Sequence, residues 1–247
     1  MQSTTPGLVL REVKFRESDK MLTILTPKGV ISASAKGSLR LKSKLFSACG
    51  LFCYSDFTVY QGRNGVYQVN EAQIKKMFFD IRNSVEGMAL AMYLAEVVTI
   101  LQPTESESEE MLRLLLNSFY LIGRNQTSLK QICTVAELRI LSLAGYMPDI
   151  VMCSQCGTYQ DNAFFLDLVM GQLLCTECAV SQRQQPNLDG GGLAAMRHIL
   201  FAEEKKIFSF SLKEESLKRL AKISRQMTLN MLEKAPKTLD FLNTVLP

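Results

Sequence analysis

Four cysteines, Cys153, Cys156, Cys175 and Cys178, constrain what this chain can fold into more than any other feature of it. They lie in the run CSQCGTYQDNAFFLDLVMGQLLCTEC as C-x2-C, an eighteen-residue spacer and a second C-x2-C. Two residues between paired cysteines let a tight turn aim both thiolates at one ion. Two such knuckles then complete a tetrahedral shell of four sulfurs, each about 2.3 Å from the metal. Gly157 follows the first knuckle, where a positive φ is often required. Phe164, Phe165, Leu166, Leu168, Leu173 and Leu174 around Met170-Gly171 predict a small hairpin between the knuckles. The expectation is one structural Zn2+ in a zinc ribbon. Two disulfides suit a secreted chain, a redox C-x-x-C belongs near a βαβ pattern, and a catalytic zinc site keeps one position open to water. The four-thiolate pattern fits these alternatives less well, and a ribbon by itself names no function.

The chain of 247 residues is 47% apolar and able to build one large core or two modest ones. The opening MQSTTPGLVLREVKF lacks the apolar stretch of a signal peptide. The longest apolar run, Gly87 to Leu101, is short for a membrane span and carries Glu96. A cytoplasmic protein with no membrane contact is expected. Cys49, Cys53 and Cys133 stand alone and read as buried small hydrophobes.

Charge is unevenly distributed. Residues 1–80 hold twelve Lys/Arg against six Asp/Glu, and residues 190–247 hold ten against six. Residues 81–189 hold six against twelve, so an acidic middle separates two basic ends. That arrangement suits a polyanionic partner held by the ends.

Residues 8–70 read as short strands with turn punctuation: Leu8 to Phe15, Asp19 to Thr26, Val30 to Ala35, Leu51 to Gln61 and Val66 to Val69. Pro27-Lys28-Gly29 and Gly62-Arg63-Asn64-Gly65 are the turns. Five strands with no helix between them predict a small closed barrel of the OB-fold kind. Between the third and fourth strands, KGSLRLKSKLFSACG carries Lys36, Arg40, Lys42 and Lys44 and no acid. Such a loop can follow a phosphate backbone, although a solvated loop looks the same in sequence. Phe52, Tyr54 and Tyr60 can stack on bases or pack on the helices that follow.

From Ser84 the apolar period becomes helical. A buried helix is expected from Ser84 to Leu101, and Ser106 with Glu109 reads as a capping box for a second helix ending at Gly123. Ser128 with Gln131 reads as the start of a third, ending at Gly145. After the ribbon, Gly190-Gly191-Gly192 reads as a hinge or loop before a short helix from about Leu193 to Ala202. Ser211 with Glu214 reads as the cap of the last long helix, whose stripe includes Leu217, Leu220 and Met227. The fold class is α+β: a five-stranded OB-fold barrel over residues 1–80, then a helical domain over 81–247 with a zinc ribbon inserted at 151–180.

Catalytic signals are poor. His198 is the one histidine, and the phosphate-cradling G-x-x-x-x-G-K-[ST] and G-x-G-x-x-G patterns are missing, as is the H-x-E of zinc deaminases. No catalytic residue is assigned and no enzyme is expected.

The stretches GLVLREVKFRESDKMLTILTPKGVISASAKGSLRLKSKL, AELRILSLAGYMPDIVMCSQCG and KTLDFLNTVL together resemble the RecO family of bacterial DNA repair and recombination mediators. The resemblance runs over essentially the whole chain, and its most specific part leads from Glu137 and Arg139 through Gly145-Tyr146-Met147-Pro148 into Cys153 and Cys156. It implies an N-terminal OB-fold, a helical C-terminal domain with the four-cysteine zinc site, and binding and annealing of single- and double-stranded DNA. It further implies action with RecR in loading RecA onto strands coated by single-strand-binding protein, at the nucleoid during repair. The family's basic DNA-contacting loop matches Lys36, Arg40, Lys42 and Lys44. The acidic, apolar-ended tail of single-strand-binding protein is expected on the helical domain, with Arg197, Lys218, Arg219, Lys222 and Arg225 meeting its carboxylates. An RNA-binding or transcription-associated module and a thiol-based redox switch are the alternatives from other classes.

Overall fold

In β1 (Gln2–Lys14) one strand serves two neighbours. Its first half pairs antiparallel with β4 (Cys53–Gln61), from Gln2↔Tyr60 to Leu8↔Tyr54. Its second half pairs with β2 (Lys20–Thr26), from Leu8↔Leu25 to Lys14↔Lys20, with a register shift at Val9/Arg11. Such a bulge lets a strand bend from one side of a barrel to the other. β3 (Gly29–Ala35) pairs with β2, β5 (Tyr67–Met77) pairs with β4, and the parallel contact of Ala33 with Tyr67 closes the cylinder in the order β1-β2-β3-β5-β4. This computed structural model describes residues 2–62, 65–232 and 234–246. Arg63 and Asn64 of the expected turn between β4 and β5 lie outside the described residues.

Alternation fills the barrel. Val9, Leu22, Ile24, Ala33, Phe57, Val59 and Val69 face inward and are buried, with Leu45 of the short helix α1 (Leu45–Ala48) and Cys49 closing one end. β1 begins six residues earlier than the periodicity predicts, and β5 runs to Met77 rather than Val69. Backbone pairing rather than an apolar pattern defines both extensions, so the polar residues 2–5 and the largely polar 70–76 can occupy them.

The chain divides into two compact units. The first comprises residues up to Gln126 together with Pro236–Val245, and the second comprises Thr127–Ala235. The barrel shares its compact unit with α2 (Val85–Leu101), α3 (Glu105–Arg124) and α8 (Leu239–Val245). Phe52 explains part of this. It takes φ 60° just before β4, is 2% exposed, and stacks edge-on against Phe119 of α3 at 4.8 Å. It is a packing residue and not a base-stacking one.

Helix starts follow local hydrogen bonding. Ser84, the expected first residue of this helix, is its N-cap and accepts from the Gly87 amide at 2.8 Å. α3 does not start at Ser106: its capping box is Thr104 with Glu107, whose carboxylate accepts the Thr104 amide at 2.9 Å. The run TESESEE contains overlapping S/T-x-x-E frames, and the one whose first residue, Thr104, is extended prevails. Gly123 does not stop α3, which continues to Arg124. A Cβ there would meet the Asp80 Cβ at 3.0 Å, so the residue is small for packing.

In the second unit, α4 (Leu129–Leu143) is capped by Ser128 as predicted. A three-stranded sheet follows, β7 (Leu173–Cys175), β6 (Ala163–Leu166) and β8 (Leu188–Asp189) in that spatial order, with α5 (Thr176–Ser181) after β7. The three glycines are no hinge. They form the first turn of α6 (Gly190–Phe201), where Asp189 caps by accepting from Gly192 at 2.7 Å. A Cβ on Gly190 would lie 2.9 Å from the Asp161 carbonyl, and one on Gly192 would lie 2.8 Å from Leu188. α7 (Glu214–Met231) has Lys213 at its N-cap and no side-chain cap, so Ser211 does not fill that role; Glu214 and Glu215 in the first turn complement the helix dipole instead.

α7 is held to α4 by charge. Glu137, 1% exposed, accepts from Arg225 and from the Ser224 hydroxyl at 2.6 Å, and Arg225 also reaches the Cys133 sulfur at 3.2 Å. Removing one partner of such a buried pair costs roughly 3–5 kcal/mol, because the other charge is stranded. The most specific stretch of the sequence is therefore structural: Glu137 ties α4 to α7, and Arg139 donates to the Leu200 carbonyl at the end of α6. Among the described residues no helix is long and apolar enough to cross a membrane.

Candidate metal centre and nucleic-acid interface

The four expected ligands converge. The sulfurs of Cys153, Cys156, Cys175 and Cys178 all lie within 4.8 Å of one another, with Cys156 and Cys175 at 3.5 Å, and none is in a disulfide. A tetrahedral ion bonded at about 2.3 Å needs sulfurs about 3.8 Å apart, so the cluster fits a metal ion without rebuilding. The first knuckle is a tight turn in which Gly157, at φ +76°, donates to the Cys153 carbonyl at 2.9 Å. The second uses a helix start: Cys175 ends β7 and caps α5, and Cys178 lies one turn on, on the same face.

The polypeptide around the cluster braces it. Asp161 accepts from the Thr176 amide at 2.8 Å, and the Thr176 hydroxyl donates to the Ala163 carbonyl at 2.8 Å. Arg197 of α6 donates to the carbonyls of Ile150, Val151 and Tyr159, and its guanidinium lies 4.2 Å from the Tyr159 ring centre. That one side chain closes the loop carrying the first knuckle.

Ionisation favours a cation. Desolvation pushes the Cys153 thiol up, but the amides of Cys175, Cys156 and Gln155 outweigh it and bring the group down to about 6. Cys156 is lowered chiefly by the Thr158 hydroxyl at 3.1 Å. Cys178 is pushed up by desolvation and by its neighbouring sulfurs. Four thiols this close cannot all ionise alone, and a divalent cation removes that obstacle. By contrast, burial raises Cys49 to about 12 and also raises Cys133, which makes both poor nucleophiles.

Lys36, Arg40, Lys42 and Lys44 are all exposed on the β3–α1 connection. The base of this loop is fixed. The Gly37 amide donates to the Asp19 carboxylate at 2.8 Å, the Leu39 amide to the Ser18 carbonyl at 3.0 Å, and the buried Ser38 hydroxyl to the Ala35 carbonyl at 2.7 Å. These bonds bring the loop beside the β1–β2 turn, which adds Lys14, Phe15 and Arg16, all exposed. Sequence reasoning passed over those three. Their signal is an aromatic flanked by two bases in an otherwise polar turn, KFRESD. Tyr54 is half-buried under Lys75, 5.6 Å from its ring centre, and Tyr60 is 51% exposed.

The five bases expected to meet an acidic tail separate into two groups. Arg197 and Arg225 are engaged in the internal contacts above. Lys218 and Arg219 are exposed and pair with Glu214 and Glu215 one turn earlier, each at 2.7 Å, while Lys222 is exposed on the same helix. Exposed i,i+4 pairs contribute little and exchange readily for another carboxylate.

Comparison with known proteins accords with this architecture. The chain matches the family model "Recombination protein O N terminal" over residues 1–78 and "Recombination protein O C terminal" over residues 82–240. It is 35% identical to the DNA repair protein RecO of Acetivibrio thermocellus over 98% of this chain and 96% of that one. It is 34% identical to that of Alkaliphilus metalliredigens over 70% and 71%, and 27% identical to that of Clostridium kluyveri over 98% and 93%. With both halves matched and full-length similarity at this level, the chain belongs to the RecO family of DNA repair proteins.

Proposed function

We propose that this chain is a non-enzymatic, DNA-binding mediator of recombinational repair. The observation that carries the reading is the exposed, acid-free loop of Lys36, Arg40, Lys42 and Lys44, anchored at its base to a closed five-stranded barrel. Cations on a fixed base bind phosphates by releasing counterions, which gives affinity for single and double strands without reading sequence. Two strands held this way are close enough to pair, so annealing requires positioning and no bond breakage. In this role the protein acts with RecR to load RecA onto strands coated by single-strand-binding protein. The tail of that protein docks at Lys218, Arg219 and Lys222. One structural Zn2+ is the ion proposed for the four thiolates, a closed donor set that leaves no position for water chemistry.

Replacing Lys36, Arg40, Lys42 and Lys44 together by Glu tests the reading. DNA affinity should fall across all sequences, and the slope of log affinity against log salt should shrink by about one for each phosphate no longer held. An unchanged slope in the folded variant would move the DNA elsewhere on the protein.

A further inference from the structure

The same loop carries a residue that phosphate binding does not explain. Leu41 sits between Arg40 and Lys42 and is 85% exposed, the most exposed of the large apolar side chains among the described residues. It has no packing role. The connection buries Ser38, Leu45, Ala48 and Cys49, whereas Leu41 stays in solvent. It is not isolated either. The bonds from Gly37 and Leu39 to Asp19 and Ser18 set the loop against the β1–β2 turn, where Phe15 is 46% exposed with the Arg16 guanidinium 5.3 Å from its ring centre. Phe46 of α1, 38% exposed, lies 6.0 Å from the Lys20 ammonium, and Lys20 opens β2 at the far side of that turn.

One corner of the barrel therefore sets cations among apolar and aromatic side chains, with Glu17 the exposed acid of its turn. A duplex offers such a corner phosphates and groove edges, and exposes a base face only where a step is unstacked at a cost. An unpaired strand offers phosphates together with base faces that need no unstacking, on which aromatic and apolar groups pack.

We propose that Leu41 and Phe15 contact unpaired bases and give this corner a preference for single-stranded over duplex DNA. The proposal rests on the reading that the loop's cations hold phosphates, and it adds what the cations cannot do. A consequence follows for annealing: once the bound bases pair, their faces leave Leu41 and Phe15. The product is then held by phosphate contacts alone and departs more easily than the substrate.

The chain contains no tryptophan, so Leu41→Trp places a single indole at the tip as a reporter. In the full-length protein its emission should be quenched by saturating oligothymidine and far less by a duplex of equal length. Leu41→Ser with Phe15→Ser should weaken oligothymidine binding about tenfold, change duplex affinity by less than about twofold, and leave the salt slope intact. Leu41→Ser alone, at a position that packs on nothing, should give part of that loss without disturbing the fold. Equal losses on single strand and duplex would overturn the proposal, as would an indole that oligothymidine leaves unquenched. A serine variant with unchanged DNA affinity would leave the apolar corner to a protein partner and likewise overturn it. The four-Glu variant separates the two ideas. If it loses DNA while the serine variant does not, the phosphate-binding loop stands and base contact falls; if it retains DNA, both fall.

Discussion

Glu96 is a carboxylate on α2, a helix whose other residues are largely buried and apolar. Its partners lie 141 and 142 positions away: it accepts from the Lys237 amide at 3.0 Å, the Thr238 amide at 2.9 Å and the Thr238 hydroxyl at 2.7 Å. An acid on one helix thus caps the start of another. Burial pushes Glu96 up, but the Thr238 and Lys237 bonds outweigh it and hold the group below its ordinary value. Because the folded value is the lower one, this stabilisation is complete above the ordinary carboxylate range and is lost as pH falls through the folded value. At neutral pH, Glu96→Gln should cost about 2 kcal/mol of unfolding free energy. The gap between wild type and variant should close as pH is lowered from about 5 to about 3. A gap that stays constant across that window would mean the charge does no capping. Nothing near Glu96 in the chain reveals this contact, since sequence patterns report neighbours three or four residues away and not at this separation.

At the scale of elements, what could be read depended on whether an element is defined locally. The four-cysteine cluster is legible because each pair of cysteines is set by a two-residue turn and the pairs are joined by a hairpin. α2 and α4 are legible because a helical apolar period begins directly after Ser84 and Ser128. α3 and α7 are less so: TESESEE offers competing frames, and α7 begins with no side-chain cap. The glycine run at 190–192 reads as flexibility, yet it answers to crowding by Asp161 and Leu188. The Phe15–Leu41 corner needs the Leu39–Ser18 bond, which no periodicity encodes. The ribbon carries its own test. Elemental analysis of protein purified without chelator should find about one zinc per chain. Cys153→Ser should lose the metal and several kcal/mol of stability in the second unit, though less than the ~10 kcal/mol or more of isolated zinc peptides, because α4, α6 and α7 keep a core of their own. Metal-free protein with intact thiols and an unchanged melting temperature would contradict the assignment.

At the scale of the whole molecule, the chain leaves the barrel unit after Gln126, builds the second unit, and returns at Pro236. The returning segment buries Leu242 completely and Leu239 to 8% exposure. Two such side chains are worth roughly 3–6 kcal/mol at most by area. Truncation after Ala235 should therefore strip hydrogen-exchange protection from α2 while leaving α4 and α7 protected. Unchanged protection in α2 would show that the segment is dispensable. The broad division into a β-rich first part and a helical remainder is legible from the change of period near Ser84. The return is not, because KTLDFLNTVL reads as an ordinary amphipathic end and its destination is set by Glu96 and by the apolar face of α2.

That return has a consequence for biosynthesis. Residues 236–245 leave the ribosome after all of 127–235, so the part of the protein translated first is the last to be completed. While the nascent chain waits, the α2 surface that later takes Leu239 and Leu242 is uncovered, and Glu96 lacks the backbone amides it will cap. A stretch of apolar surface held open for the time needed to translate the whole second unit is what chaperones recognise. The dependence on them should thus be greater for this chain than for one in which the same helices followed one another without interruption.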